Sequence, residues 1–84
     1  MSRMVKIYRS PVRLGLYLYV DSKDELRRVP ETLLKRFGKP IEAMSLKLTP
    51  VRKLARADAD AVLKNIEEAG YYLQLPPGDE VASR

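Results

Sequence analysis

Eighty-four residues, 45% hydrophobic and 32% charged, are enough for one domain with a single core and do not have the balance of a disordered tail. The net charge is +5 and unevenly divided: residues 1–56 hold 14 Lys/Arg against 5 Asp/Glu, and residues 57–84 hold 2 against 6, a basic body with an acidic final third. Neither cysteine nor histidine is present, which excludes a disulfide framework, a thiolate zinc site and every triad built on His or Cys.

In Met4–Arg9 the alternation puts Val5 and Ile7 on one face and Lys6 and Tyr8 on the other, the pattern of a strand. Ser10-Pro11-Val12-Arg13 carries turn chemistry, since proline presets its own backbone angle and cannot continue a central ladder. A second strand is predicted over Leu14–Val20, with Leu16, Leu18 and Val20 on one face and Tyr17 and Tyr19 on the other. Two apolar faces mark a central strand covered on both sides. Asp21, Ser22 and Asp24 offer side-chain oxygens for a turn or helix entry. Leu26, Val29, Leu33 and Phe37 fall at helical spacing, but Pro30 splits the stretch into one turn near Leu26 and a helix over Pro30–Phe37. Gly38 and Pro40 end that helix.

The third strand is predicted over Ile41–Leu48, with Met44, Leu46 and Leu48 inward and Ser45 and Lys47 outward. Thr49-Pro50 opens a short helix or turn carrying Arg52, Lys53 and Leu54. Asp58 is expected to cap the longest helix, Ala59–Ala69, whose packing stripe is Ala59, Val62, Leu63 and Ile66. Gly70 supplies a left-handed stop, Tyr71–Leu75 the last strand, and Pro76-Pro77 a rigid exit. Residues 78–84 contain too little apolar surface to hold themselves down, so a mobile tail follows a single domain over residues 4–77. The fold class is therefore α/β: a small mixed sheet, with elements in the order β-β-α-β-α-β, and helices packed on it.

Several segments together carry a family resemblance. Ile7-Tyr8-Arg9-Ser10, Tyr17-Leu18-Tyr19-Val20, Arg28-Val29-Pro30, Phe37-Gly38-Lys39-Pro40, Arg52-Lys53-Leu54 with Ala57-Asp58, and Gly70 to Pro77 resemble the YcgL domain family in order and spacing across nearly the whole chain. The resemblance implies an α/β sandwich in a small bacterial protein of the cytoplasm, with no established activity, ligand or catalytic residue. Some members are encoded close to ribonuclease D, so it also implies an RNA-related role by association.

No run approaches the roughly 18 apolar residues of a membrane span, and Met1–Lys6 carries charge where a signal peptide needs an apolar core, so a cytoplasmic location without membrane contact is expected. An enzyme would have to work with Asp, Glu, Lys, Ser or Tyr alone, and no spacing among them supports a site. No metal and no cofactor are expected. The candidate binding residues for an anionic partner are Arg9, Arg28, Arg52 and Lys53, with Tyr8 and Tyr19 as strand aromatics able to stack a base beside a cation. RNA or an RNA-processing enzyme is the favoured partner. Packing within the core is the competing role for the tyrosines, and solvated surface for the cations. Gln74 reads either as an amide offered to a ligand or as an outward polar residue at a strand end. The alternative function is self-association, the acidic final third of one copy meeting the basic body of another.

Overall fold

The computed structural model describes residues 2–54 and 58–76. Pro77 and the tail expected over 78–84 lie outside the described residues. Within them the order is β1 (Arg3–Arg9), β2 (Tyr17–Asp21), α1 (Glu31–Phe37), β3 (Ile41–Leu48), α2 (Ala59–Ala69) and β4 (Tyr71–Gln74), the β-β-α-β-α-β succession expected. The strands form one sheet in the order β3-β1-β2-β4.

The α/β class holds, but this sheet, expected to be mixed, contains no parallel neighbours: β1–β2, β1–β3 and β2–β4 all pair antiparallel. The reason lies in the connections. β2 folds straight back on β1, and each helical crossover then carries the chain to an outer edge. β2 and β3 consequently run in the same direction, yet β1 lies between them.

Register divides the side chains between two cores. Val5 and Ile7 of β1, Tyr19 of β2 and Leu48 of β3 pack with Ala59, Val62, Leu63 and Ile66 of α2. Tyr8, Leu16, Leu18 and Val20 pack on the opposite face with Val29 and with Phe37 of α1. The two helices thus cover opposite faces, and β2 is buried on both, as its sequence predicts. Full burial of Leu18, Val20, Phe37, Val62 and Ile66 contributes on the order of 1.5–3 kcal/mol per side chain. Seven-residue α1 depends on this burial, because two turns are marginal alone.

The element ends depart from expectation where side chains or glycines take over from periodicity. β2 begins at Tyr17, not Leu14. Gly15 lies at φ 91°, and the Leu16 N–H donates to the Arg13 carbonyl at 3.3 Å, so Leu14 is in a turn and 96% exposed. The Ser10 hydroxyl organises this turn: Oγ accepts from the N–H groups of Val12 and Arg13 and donates to the Phe37 carbonyl at 2.6 Å, tying the loop to the end of α1. Pro30 is the N-cap of α1, its carbonyl accepting from Leu33 and Leu34 at 3.1 Å. Before it, where one turn near Leu26 is expected, the chain makes a run of turns over 22–28, begun by the N–H groups of Asp24 and Glu25 on the Asp21 carbonyl and ended by that of Val29 on the Leu26 carbonyl.

Thr49-Pro50 makes a turn, closed by the Arg52 N–H on the Thr49 carbonyl at 3.0 Å. Asp58 occupies the N-cap of α2 without a side-chain capping bond; its backbone bridges to Lys53 instead. Gly70, at φ 94°, stops α2 and donates to the Ile66 carbonyl at 2.9 Å. β4 ends at Gln74, one residue early.

β3 departs most in its burial. Leu48 is buried and Leu46 partly so, but Met44 is 52% exposed, because β3 lies at the sheet edge. The pairing with β1 slips between Ile7 and Tyr8, so that Met44 faces Ile7, Glu42 faces Tyr8, and Ala43 is the extra residue of a bulge.

Candidate anion-binding site

The tyrosines expected to stack a base are core residues on opposite faces of the sheet. Tyr19 is buried under α2, its hydroxyl donating to Gln74 Oε1 at 2.9 Å and its ring set edge-on to Tyr72 at 5.7 Å and 85°. Tyr8 is buried in the α1 core, and burial first, with the carboxylates of Glu25 and Glu42 adding to it against Lys6, raises its hydroxyl pKa. Gln74, read as either ligand-facing or outward, is 6% exposed and points inward as the partner of Tyr19. Such a pairing satisfies two polar groups that would otherwise be costly in a core.

The four candidate cations do not converge. Arg9 ends β1 opposite Ile41, at the far end of the sheet from Arg3. Arg52 and Lys53 follow β3 at the Arg3 end, because Leu48 pairs with Arg3. Arg28 lies over the other end of α2, where Nη1 donates to the Ile66 carbonyl at 3.4 Å and its positive charge complements the helix C-terminus. The length of α2, about 16 Å at 1.5 Å per residue, separates it from Lys53. Arg28 therefore has a structural task that accounts for it.

A different group of charges does come together. The antiparallel register places Val5 opposite Asp21, which brings Arg3 within reach of the Asp21 carboxylate, and it places Lys47 opposite Met4. Ser2, Arg3, Met4, Asp21, Lys23 and Lys47 line a cavity of about 330 Å³ at this end of the sheet. Arg3 Nη1 donates to Asp21 Oδ2 at 2.7 Å, and the Lys23 N–H donates to Asp21 Oδ1 at 2.8 Å. Burial is the largest influence on Asp21 and opposes its ionisation, but the Lys23 N–H and Arg3 together outweigh it and hold the carboxyl below its ordinary pKa. Arg3 Nε is buried with no hydrogen-bond partner. Among the described residues neither Lys23 nor Lys47 is ion-paired. Arg3 and Lys23 thus act on one carboxylate whose two oxygens are already engaged, while Lys47, on Met4's face of the sheet, lines the same cavity from the other side.

A second charged group lies on the α1 face, where Lys6 Nζ meets Glu25 at 3.1 Å and Glu42 at 3.7 Å. The hydrogen bond to Glu25 leads in raising the Lys6 pKa, against the cost of burial. One lysine stands against two carboxylates there, so the group carries net negative charge and does not suit an anion. A larger groove of about 500 Å³ between α1 and β4 is lined by Pro30, Thr32, Leu33, Arg36, Tyr71 and Leu73, with one charged group among them. Among the described residues no three of Asp and Glu gather to hold a metal ion, and no helix is long and apolar enough to cross a membrane.

Arg3, Lys23 and Lys47 escape a reading of the sequence because nothing in their spacing joins them. The available signal is parity: Arg3 is in phase with Val5 and Ile7, as Asp21 is with Tyr19.

Comparison with known proteins matches the YcgL domain model to residues 5–77. A YcgL domain-containing protein of Pseudomonas syringae pv. tomato is 52% identical over 80 residues, covering 95% of this chain and 82% of the relative. One from Cellvibrio japonicus is 54% identical over 81 residues, covering 96% and 83%. Another from Stutzerimonas stutzeri is 54% identical over 80 residues, covering 95% and 82%. These names specify a domain and no activity.

Proposed function

The chain belongs to the YcgL domain family, and on that premise we propose that it is a non-catalytic binding module for single-stranded RNA, gripping phosphates at the Arg3 end of its sheet. The observation that supports this reading is the cavity bounded by Arg3, Lys23 and Lys47, in which the one carboxylate is already bound by Arg3 and a backbone N–H. A phosphate entering it meets net positive charge, with guanidinium and ammonium donors at hand. Arg52 and Lys53 follow β3 at the same end of the sheet but are not among the residues that line the cavity. With Tyr8 and Tyr19 in the cores, contact is with the backbone and not the bases. Binding is then indifferent to sequence and strongly dependent on salt.

Fluorescence anisotropy with labelled single-stranded RNA tests the reading. Expected is binding at low salt that Lys23→Ala with Lys47→Ala weakens roughly tenfold or more, a loss of the size given by a charge-assisted contact or two. Arg9→Ala, at the other end of the sheet, leaves it near wild type. Absence of binding at low salt, or equal loss from Arg9→Ala, overturns it.

A further inference from the structure

The outer edge of β3 is written as its own complement. β3 is the longest strand and pairs only with β1 among the described residues, so a row of backbone donors and acceptors faces outward. In a regular strand Glu42 and Lys47, an odd number of residues apart, would project to opposite faces. The bulge at Ala43 changes this: Glu42 lies opposite Tyr8 and Lys47 opposite Met4, which share a face. With Ala43 set aside, the positions in register with β1 are Ile41, Glu42 and the run from Met44 to Leu48, and Ser45 is their midpoint.

We infer that this edge pairs with the β3 edge of a second copy, antiparallel about a two-fold axis at Ser45, joining two four-stranded sheets into one. Reversing these positions sets Glu42 against Lys47, Met44 against Leu46, Ile41 against Leu48 and Ser45 against itself. Every opposed pair shares a face, and both Glu42–Lys47 pairs join opposite charges. Glu42 is free to serve, since its contact with Lys6 in its own chain is long, at 3.7 Å, and its side chain stays 56% exposed. Ile41 and Met44, 36% and 52% exposed, would lose water-facing apolar surface in the joint sheet. A lysine and a bulge ordinarily keep a foreign strand off an edge. Here the mirrored glutamate admits a copy of the same chain. This contact differs from the meeting of acidic third and basic body expected from the sequence.

Sedimentation velocity over a wide concentration range at low salt tests the inference. The wild type is expected to reach twice the monomer mass. Glu42→Lys and Lys47→Glu, each placing like charges in opposition twice per dimer, should each weaken the dimer roughly tenfold. An equimolar mixture of the two variants should recover it, since every opposed pair is again of opposite sign. Monomer at all concentrations overturns the inference, as does a mixture no tighter than its components. Lys47 also lines the anion cavity, so Glu42→Lys, which leaves that cavity intact, separates loss of pairing from loss of RNA binding.

Discussion

Tyr19 and Gln74 illustrate how a residue's chemistry is assigned by what it faces. The tyrosine hydroxyl and the amide oxygen satisfy each other at 2.9 Å inside the α2 core, and removing one leaves the other buried without that bond. Tyr19→Phe should lower stability by about 1–3 kcal/mol in urea melts, while RNA affinity stays unchanged; reduced affinity at full stability would restore Tyr19 to the binding surface. The titrating residues set the pH limits of the fold. Asp21 titrates below its ordinary value of 3.8 when folded, so its stabilisation is present above that value and is lost as pH falls through the folded pKa. Lys6 and Tyr8 titrate above their ordinary 10.5 and 10.0. Their contributions are present below those values and are lost as pH rises through the folded ones. Thermal midpoints measured against pH should therefore fall on both the acid and alkaline sides, with Lys6→Met reducing the alkaline fall.

At the scale of the element, Gly70 joins α2 to β4 for two reasons. Its φ of 94° is left-handed, and a Cβ there would come within 2.5 Å of Arg28 Cβ. Gly70→Ala should cost about 1–2 kcal/mol for the backbone alone, with more from the displaced arginine, measured as a lower urea midpoint; an unchanged midpoint would contradict this account of the helix end. Strong periodicity makes β3 and α2 legible to the residue, and the α2 stripe of Ala59, Val62, Leu63 and Ile66 is the one its spacing implies. For β2 the same signal overshoots by three residues, because the alternation continues through Gly15, where the backbone turns. Gln74 reads as outward or ligand-facing because polarity alone carries no register, and only pairing with β2 brings it to Tyr19's side. The cavity is hidden for the same reason. Arg3 and Lys47 lie near the ends of two strands and Lys23 just beyond a third, and only the pairing of β1 with both neighbours unites them.

For the whole molecule, a sheet covered on both faces leaves its ends and edges as surfaces for binding. One end gathers Arg3, Lys23 and Lys47 around a cavity, and the β3 edge carries a self-complementary charge pattern. The family assignment supplies the fold's frame and leaves the chemistry to these surfaces. The most direct test of the central claim is the salt dependence of single-stranded RNA binding. Phosphates held by the three cavity cations should make log K fall against log salt with a slope of roughly −2, and Lys23→Ala with Lys47→Ala should reduce it to roughly −1. A slope near zero, or one that the double substitution leaves unchanged, would contradict an anion site at this end of the sheet.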